Sequence, residues 1–222
     1  MTTSSRVLVI GGHGKVALLL ADELAGSDVH LVSVIRHPEQ AEDIRRAAAE
    51  PLVADVTAMT PAELDGLIAG ADAVVWSAGN GGRGGAAQTY AIDRDGCQAV
   101  VDAIARSTAR TRFILVSWAG SPDHGVDPAS DFFAYADAKA AADHYTMASG
   151  IDWTILGPST LTREPASGIT VLPDGSSAHP AETTSRQLVA QVIVGCLENP
   201  QTTQHRFIRF TDGPTPVAEA LS

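Results

Sequence analysis

Cysteine, positive charge and long hydrophobic runs are all scarce in this sequence. Its two cysteines, Cys97 and Cys196, lie far apart and form no Cys-x-x-Cys pair. This excludes a disulfide framework and a cysteine zinc site, and we expect both thiols to be buried. No apolar run approaches the roughly eighteen residues of a membrane span, and the first residues do not resemble a signal peptide. We therefore expect a cytoplasmic protein that has no membrane partner.

The scarcity of positive charge limits the partners further. The chain has 15 Lys and Arg against 26 Asp and Glu, a formal net charge of −11. Nucleic acids and anionic lipids are bound by clustered basic residues, so we expect neither as a partner. The 222 residues, 45% of them hydrophobic, have an ordinary globular composition. The expected partner is a small molecule, and any anionic group on it must be held locally.

Short runs rich in Val and Ile alternate with longer Ala-rich segments of helical period. This alternation is typical of an α/β fold with a doubly wound parallel sheet. Several strands are continuous apolar runs, which indicates helices on both faces of the sheet. The predicted strands are 6–10, 30–35, 51–53, 73–77, 112–117 and 152–156, and the predicted helices are 15–25, 38–49, 61–67, 94–106 and 132–149.

The pattern changes after Leu156, where Pro and Gly interrupt the chain repeatedly. A helix at 184–198 and a strand at 206–210 are predicted there. This C-terminal region is too short for a core of its own, so we expect it to form a small substrate-pocket region. The predicted organisation is a single domain, with a dinucleotide-binding core at 1–156 and an integrated lid and flank at 157–222.

A glycine-rich turn joins the first strand to the first helix, with the sequence Gly11-Gly12-His13-Gly14-Lys15-Val16-Ala17. The motif can be aligned as Gly12-x-Gly14-x-x-Ala17 or as Gly11-x-x-Gly14-x-x-Ala17. In either alignment, glycine lets the backbone approach a pyrophosphate at the helix N-terminus. A glycine-rich turn without a ligand is the alternative. We predict a Rossmann-type dinucleotide site with Gly11, Gly12, His13, Gly14, Lys15 and Val16 as cofactor-binding residues.

The end of the second strand indicates which dinucleotide is bound. An acidic residue there binds the ribose hydroxyl of NAD, whereas arginine accommodates the 2′-phosphate of NADP. The sequence is Ile35-Arg36-His37-Pro38, with no acid. It favours NADP(H), with Arg36 as the phosphate ligand and Lys15 as a second source of positive charge.

Two further loops follow predicted strands at the edge where ligands bind in open α/β sheets. The first contains Asp55 and Val56, and the second begins with Ala78 and Gly79 and continues with several more glycines. Asp55 could accept a hydrogen bond from the adenine amino group or could only cap a turn. We predict that Asp55, Val56, Ala78 and Gly79 contact the adenosine part of the cofactor.

Tyr135 and Lys139 lie four residues apart in a predicted helix, so both fall on one face. A positive neighbour lowers the pKa of a phenol from about 10, which would allow Tyr135 to act as a general acid or base. The lysine could also hold the hydroxyls of the nicotinamide ribose. The alternative is an exposed helix pair without a function.

These motifs together resemble the atypical short-chain dehydrogenases/reductases of the NmrA-like, NAD(P)H-binding group. The resemblance covers nearly the whole chain. It rests on the glycine loop, Ile35–Ala41, Asp93-Arg94-Asp95-Gly96, Val116-Ser117, Tyr135 with Lys139, and Ser149–Pro158. It implies a Rossmann domain that binds NADP(H) and a C-terminal region that closes the substrate pocket. The group includes reductases and also regulators that only bind the dinucleotide.

The sequence departs from this group at two positions. Members usually have Val-Ser-Ser after the fifth strand, but Trp118 replaces the second serine here. Ser117 could polarise a substrate carbonyl only if its side chain faces the cleft, and Ser121 is a fallback. The usual Arg-Pro after the sixth strand is Gly157-Pro158, which removes one positive group from the cleft.

Two functional hypotheses follow from the sequence. The first is an NADPH-dependent oxidoreductase that reduces a small carbonyl or quinone-like acceptor. In it, Tyr135 donates the proton, Lys139 orients the ribose and Ser117 polarises the carbonyl. The pocket would be apolar and framed by Trp118, Phe132, Phe133 and the segment after Pro158. The alternative is a non-catalytic NADP(H)-binding redox sensor or regulator, which Trp118 at the serine position favours.

Overall fold

Ten strands occur in the part of the chain that the structure, a computed structural model, describes: residues 5–79, 84–175 and 182–222. Their bounds are β1 Ser5–Ile10, β2 Val29–Ile35, β3 Glu50–Val53, β4 Ala73–Trp76, β5 Arg112–Val116, β6 Asp152–Pro158, β7 Thr160–Thr162, β8 Ile169–Val171, β9 Thr183–Ser185 and β10 Arg206–Asp212. Eight of them form one sheet in the order β3-β2-β1-β4-β5-β6-β10-β8. Neighbours pair in parallel except β8, which is antiparallel to β10.

Helices cover both faces of this sheet. Their bounds are α1 Lys15–Leu24, α2 Ala41–Arg46, α3 Pro61–Ile68, α4 Gly85–Thr89, α5 Cys97–Arg106, α6 Phe133–Ala148, α7 Arg186–Glu198, α8 Pro200–Thr203 and α9 Val217–Ala220. Helices α1 and α7 pack with Val7 and Val9 on one face, while α3 and α5 pack with Leu8 and Ile10 on the other. The period of two along β1 separates these two cores. The doubly wound α/β fold is thereby confirmed, and no helix of the described residues is long and apolar enough to cross a membrane.

Several element boundaries differ from the predicted ones. The predicted helix at 38–49 is a 3-10 turn, Pro38–Gln40, followed by α2, and it ends where Ala48 adopts a φ of 57°. The predicted helix at 94–106 begins earlier, with a π-helical segment, Tyr90–Gly96, that runs directly into α5. Gly96 allows this segment to lie close to the sheet, since a Cβ there would be 3.3 Å from the Trp76 ring.

The C-terminal residues extend the same sheet. β6 continues to Pro158, and β10 pairs along it in parallel from Arg206 to Phe210. β7 and β9 form a small parallel pair beyond the end of β6. The segment after 156 thus contributes two strands to the main sheet, while its division from the core and its role as a lid stay predictions.

Candidate active site

A cleft of about 280 Å³ opens at the carboxyl ends of β1 to β4. This is the edge where ligands bind in doubly wound sheets. The cleft is lined by many of the residues predicted to bind the cofactor, namely Gly11, His13, Gly14, Arg36, Asp55, Val56, Ala78 and Gly79. The glycine turn, the end of β2 and the two further loops therefore meet at one place.

The glycines of the turn have different structural roles. Gly11 has a φ of +85°, and a Cβ on it would lie 2.7 Å from the backbone of Ala78. Its carbonyl accepts a 2.8 Å hydrogen bond from the Gly14 amide. Gly12 packs against β2, where a Cβ would lie 2.5 Å from Cβ of Ser33. Gly11 and Gly14 thus shape the wall of the cleft, whereas Gly12 permits the turn after β1 to pack closely against β2.

The side chains of Lys15 and Val16 do not line this cleft. Val16 lies on α1, and its side chain is buried in the core between this helix and the sheet. Lys15 is exposed and borders a separate cleft beside α7, together with Arg163 and Arg186. Any contact of these two residues with a dinucleotide in the β1–β4 cleft would have to come from their backbone or from another side-chain conformation of Lys15.

Asp55 both lines the cleft and caps a turn. Its Oδ1 accepts hydrogen bonds from the Thr57 amide at 3.0 Å and from the Thr57 hydroxyl at 2.7 Å. The turn-capping alternative is therefore realised in the structure. The carboxylate nevertheless remains exposed at the cleft, which leaves the proposed contact with adenine open.

The cations of the cleft are paired to different degrees. Arg36 is exposed, and its guanidinium has no hydrogen bond or ion pair within the described residues. His13 Nε2 lies 2.9 Å from Asp43 Oδ2, and Arg46 Nη1 lies 3.1 Å from the other oxygen of that carboxylate. The hydrogen bond with His13 and the charge of Arg46 hold the pKa of Asp43 below its usual value. The glycine-lined wall and the unpaired Arg36 fit a dinucleotide.

Lys139 lies on α6, beside the carboxyl end of β5, and is 4% exposed. Its Nζ donates a 3.0 Å hydrogen bond to the carbonyl of Val116 and lies 3.1 Å from Oδ1 of Asp93. Burial is the largest single influence on Lys139 and alone would lower its pKa, but Asp93, followed by Tyr135, Cys97 and Asp143, together outweigh burial, and the pKa is raised. The lysine is a charged group in the interior of the site.

Tyr135 is half-buried one turn before Lys139. Burial raises the pKa of its phenol, Lys139 opposes this only in part, and the Asp93 and Asp143 carboxylates raise it further. The expectation that the lysine lowers the pKa of this phenol below its usual value is therefore wrong. The reason is that burial, together with the Asp93 and Asp143 carboxylates, outweighs the effect of the ammonium charge.

Ser117 does not present its hydroxyl to the dinucleotide cleft. Its Oγ donates a 2.6 Å hydrogen bond to Asp143 Oδ2, and the Ser121 hydroxyl donates to the same oxygen. All three side chains are buried. Burial raises the pKa of Asp143 to about 6, although the two hydroxyls and Lys139 lower it in part. Both serines considered as carbonyl polarisers are thus engaged by one carboxylate.

No sequence motif predicted a role for Asp143 or Asp93. Asp143 follows Tyr135 and Lys139 at successive four-residue steps, so the helical period alone places the three on one face. Asp93 belongs to one of the motifs that carry the family resemblance, but this motif does not assign it a role. Nothing in its spacing links it to Lys139, because the two residues meet through the packing of the π-helical segment on α6.

An aromatic cluster covers the outer side of Tyr135. The Trp118 ring lies 5.2 Å from the Phe132 ring and 6.3 Å from the Tyr135 ring, centroid to centroid, and Phe132 is 45% exposed. Phe133 lies instead against His124, at 5.8 Å. Two of the three aromatic residues predicted to frame the pocket therefore group with the tyrosine, whereas Phe133 packs elsewhere.

A cation lies beside Gly157 although the usual arginine is missing from that position. Arg209 pairs with Gly157 in the register of β10 and β6. Its Cγ is 3.1 Å from where a Gly157 Cβ would stand, and its Nη2 donates a 2.7 Å hydrogen bond to the Ser121 carbonyl. The expected loss of a positive group is thus offset by an arginine from the neighbouring strand.

Comparison with known proteins is consistent with this site. The NAD(P)H-binding family model matches residues 11–200. A Bacillus subtilis (strain 168) protein named an uncharacterized sugar epimerase is 30% identical over 221 residues, which cover 97% of this chain and 98% of that protein. A solved structure from Bacillus halodurans, named as an NAD-dependent epimerase/dehydratase, is 31% identical in sequence. The two structures superpose with a TM-score of 0.86, and the match covers 98% of each chain. The Lactococcus lactis oxidoreductase ylbE is 25% identical with a TM-score of 0.82, covering 97% of this chain and 94% of that one. The chain belongs to the NAD(P)H-binding family.

Proposed function

We propose that the protein is an NADPH-dependent oxidoreductase that reduces a small carbonyl or quinone-like acceptor. The observation that carries the proposal is the position of Tyr135, between an exposed aromatic cluster and the buried ion pair of Lys139 with Asp93. Gly79 connects this group to the dinucleotide cleft, since it lines the cleft and a Cβ on it would lie 2.9 Å from Asp93 Oδ1. The ion pair beside Tyr135 therefore lies directly behind the wall of the proposed cofactor site.

The residues of the cleft fit the parts of NADPH in order. The backbone at Gly11 and Gly14 would hold the pyrophosphate, Arg36 the 2′-phosphate, and Asp55 the adenine amino group. NADPH bound there supplies a hydride. Arg36 supports the choice of NADP(H) over NAD(H), because it is an unpaired cation at the end of β2.

Tyr135 would supply the proton. The raised pKa of its phenol keeps it protonated at neutral pH. A protonated phenol donates to an oxygen on which negative charge develops, as occurs when a carbonyl or quinone is reduced. Alcohol oxidation would require the phenolate instead, a form that this environment disfavours. Trp118 and Phe132 would contact the acceptor and exclude water from the tyrosine.

A second candidate is a regulator that binds NADP(H) without turnover. The observation that favours it is the hydrogen bond of Ser117 to Asp143, which occupies the only serine hydroxyl at the end of β5. Trp118 follows where the family has another serine. Under this hypothesis the cleft is a sensor site, and the aromatic cluster contacts a partner rather than a substrate.

The test separates binding from turnover. NADPH and NADH affinities are measured by titration, and NADPH oxidation is followed with a panel of aldehydes, ketones and quinones. Oxidation with one acceptor, abolished in Tyr135→Phe, supports the reductase. Binding without oxidation across the panel overturns the reductase and leaves the regulator. Absence of binding overturns both hypotheses.

The names of the relatives suggest one additional substrate for the same test. Their names divide between sugar or NAD-dependent epimerases and an oxidoreductase, so the panel should include a nucleotide sugar. Isomerisation of that sugar without net NADPH consumption would count against the proposed reductase.

A further inference from the structure

The pairing of Asp93 is unusual among the buried groups of the molecule. Its carboxylate is completely buried, and neither oxygen has a directed hydrogen bond within the described residues. The one cation within ion-pair distance there is Lys139, at 3.1 Å. A buried carboxylate without a compensating charge costs several kcal/mol. The interaction of Asp93 with the protein is therefore mainly its attraction to this ammonium.

Gly79 provides the room for the Asp93 carboxylate. A Cβ on Gly79 would lie 2.9 Å from Asp93 Oδ1, too close for an undisturbed contact. The φ of Gly79 is not in the left-handed region, so the backbone alone does not require glycine here. Gly79 also lines the dinucleotide cleft. The missing side chain allows the ion pair to lie directly behind the cleft wall.

Lys139 is fixed by two elements at once. Nζ donates to the Val116 carbonyl at the end of β5 and faces Asp93 on the π-helical segment. An ammonium has three N–H donors. One N–H is used by the carbonyl, and the attraction to Asp93 is electrostatic, at 3.1 Å, without a directed hydrogen bond.

We propose that Asp93 is a positioning residue of the active site: its buried carboxylate holds the Lys139 ammonium, charged, at the end of β5 and behind the cleft wall. The inference deepens the proposed function, on which its catalytic consequence rests. The titratable groups that face Lys139 are Tyr135 and Asp143 on α6, Asp93 on the π-helical segment and Cys97 at the start of α5. Asp93 is the largest of these influences on the lysine.

The expected consequence of removing Asp93 follows from burial. Without the carboxylate, a buried lysine loses its proton more readily, and buried lysines titrate up to about 3 to 5 pH units below the usual value. In Asp93→Asn we therefore expect Lys139 to titrate at least about 2 pH units below the ordinary lysine pKa of about 10.4. In the unmodified protein it should stay protonated to high pH.

The chain is well suited to a direct measurement, because Lys15 and Lys139 are its only lysines. Titration of labelled lysine side chains by NMR, without cofactor, reports both, and the exposed Lys15 serves as an internal reference. Asp95→Asn is the matched control, since Asp95 lies on the same segment but is exposed and pairs with Arg94. A lowered Lys139 titration in Asp93→Asn and an unchanged one in Asp95→Asn supports the proposal.

An unchanged Lys139 titration in folded Asp93→Asn overturns the proposal. Should that variant fail to fold, Gly79→Ala decides, because its Cβ displaces the carboxylate without removing a charge. It should also lower the Lys139 titration, and an unchanged titration overturns the proposal. The readout needs neither NADPH nor substrate, so it stands even if the proposed reductase fails. If turnover is found, its pH profile in Asp93→Asn should lose activity where Lys139 deprotonates.

Discussion

The candidate site has two halves, which differ in how their charged groups are paired. The binding half is the cleft at the carboxyl ends of β1 to β4, and the reacting half is the group of Tyr135, Lys139, Asp93 and Asp143 near the end of β5. At the carboxyl ends of β1 and β2, Arg36 is exposed and has no partner within the described residues. At the end of β5, Lys139 and Asp93 are buried against each other, and Asp143 binds two serine hydroxyls. The first half has a positive group that only a ligand can neutralise. In the second half, the buried charged groups already have partners within the protein.

This difference separates binding from chemistry in physical terms. An exposed arginine is solvated, and a phosphate that replaces water contributes affinity and selectivity. Buried charges cannot be rearranged without large cost, so they would hold the proposed proton donor in a fixed environment. Changes in the first half should therefore alter affinity, while changes in the second should alter turnover, proton affinity and stability.

The largest effect is expected at Tyr135. If the phenol donates the proton, Tyr135→Phe should reduce turnover about a hundred- to ten-thousandfold, the usual contribution of general acid catalysis. NADPH affinity should be nearly unchanged, because only the transition state uses the hydroxyl. Lys139→Ala should impair both. Tyr145→Phe is the matched control, since Tyr145 lies on the same helix and bonds to Asp102. Full activity of Tyr135→Phe would assign the proton to another group.

Asp143 should give the protein an unusual pH dependence of stability. Its pKa in the folded state is raised to about 6, above the ordinary carboxyl value, so the folded state disfavours its charged form. The free energy of unfolding should therefore rise as pH falls from about 7 to about 4, by roughly 2 kcal/mol from this group.

Urea unfolding at several pH values tests this prediction. The difference between the unmodified protein and Asp143→Asn isolates the contribution, because other carboxylates titrate in both. Asp131→Asn, at an exposed site, should show no such difference. A difference between the unmodified protein and Asp143→Asn that does not change with pH would contradict the raised pKa.

Arg36 tests the binding half. Arg36→Ala should lose the preference for NADPH over NADH by about 1.5 to 3 kcal/mol, the scale of a charge-assisted hydrogen bond. Turnover at saturating cofactor should change little. Arg45→Ala is the matched control, because Arg45 is exposed on α2 and pairs with Glu42. Equal affinities of the unmodified protein for the two cofactors would refute the assignment of NADP(H).

The smallest effect is expected at Asp55. If its exposed carboxylate accepts from adenine, Asp55→Ala should weaken NADPH binding by up to about tenfold. Thr57→Ala removes the hydroxyl that Asp55 bonds but keeps the carboxylate, so it should leave binding nearly unchanged. Equal losses in the two variants would mean that Asp55 acts only through its turn.

The architecture and the residues that line the β1–β4 cleft could be predicted from the sequence because their signals are local. The alternation of strands and helices, and glycine turns at strand ends, follow from short stretches of chain and from rules common to doubly wound sheets. The positions of Gly11, Gly14 and Arg36 in one cleft needed no knowledge of long-range packing.

The electrostatics of the reacting half could not be predicted in the same way. The pKa of Tyr135 depends on Asp93, which reaches the site through packing of the π-helical segment on α6, and on burial that no short pattern reveals. Ser117 lies at the end of β5 as predicted, but the direction of its hydroxyl depends on Asp143, which lies on α6. The four-residue spacing from Lys139 to Asp143 places both residues on one face of α6, but it does not indicate the contact with Ser117.

The π-helical segment Tyr90–Gly96 also affects how relatives of this chain should be aligned. A π turn contains about one residue more than an α turn, and such turns often mark functional sites. Deleting a single residue there would return the segment to α-helical geometry and rotate Asp93 away from Lys139, while leaving the hydrophobic pattern of α5 intact. A one-residue gap in an alignment at this turn is therefore chemically informative: homologues that lack the extra residue should lack the buried ion pair, even where Tyr135 and Lys139 are both present.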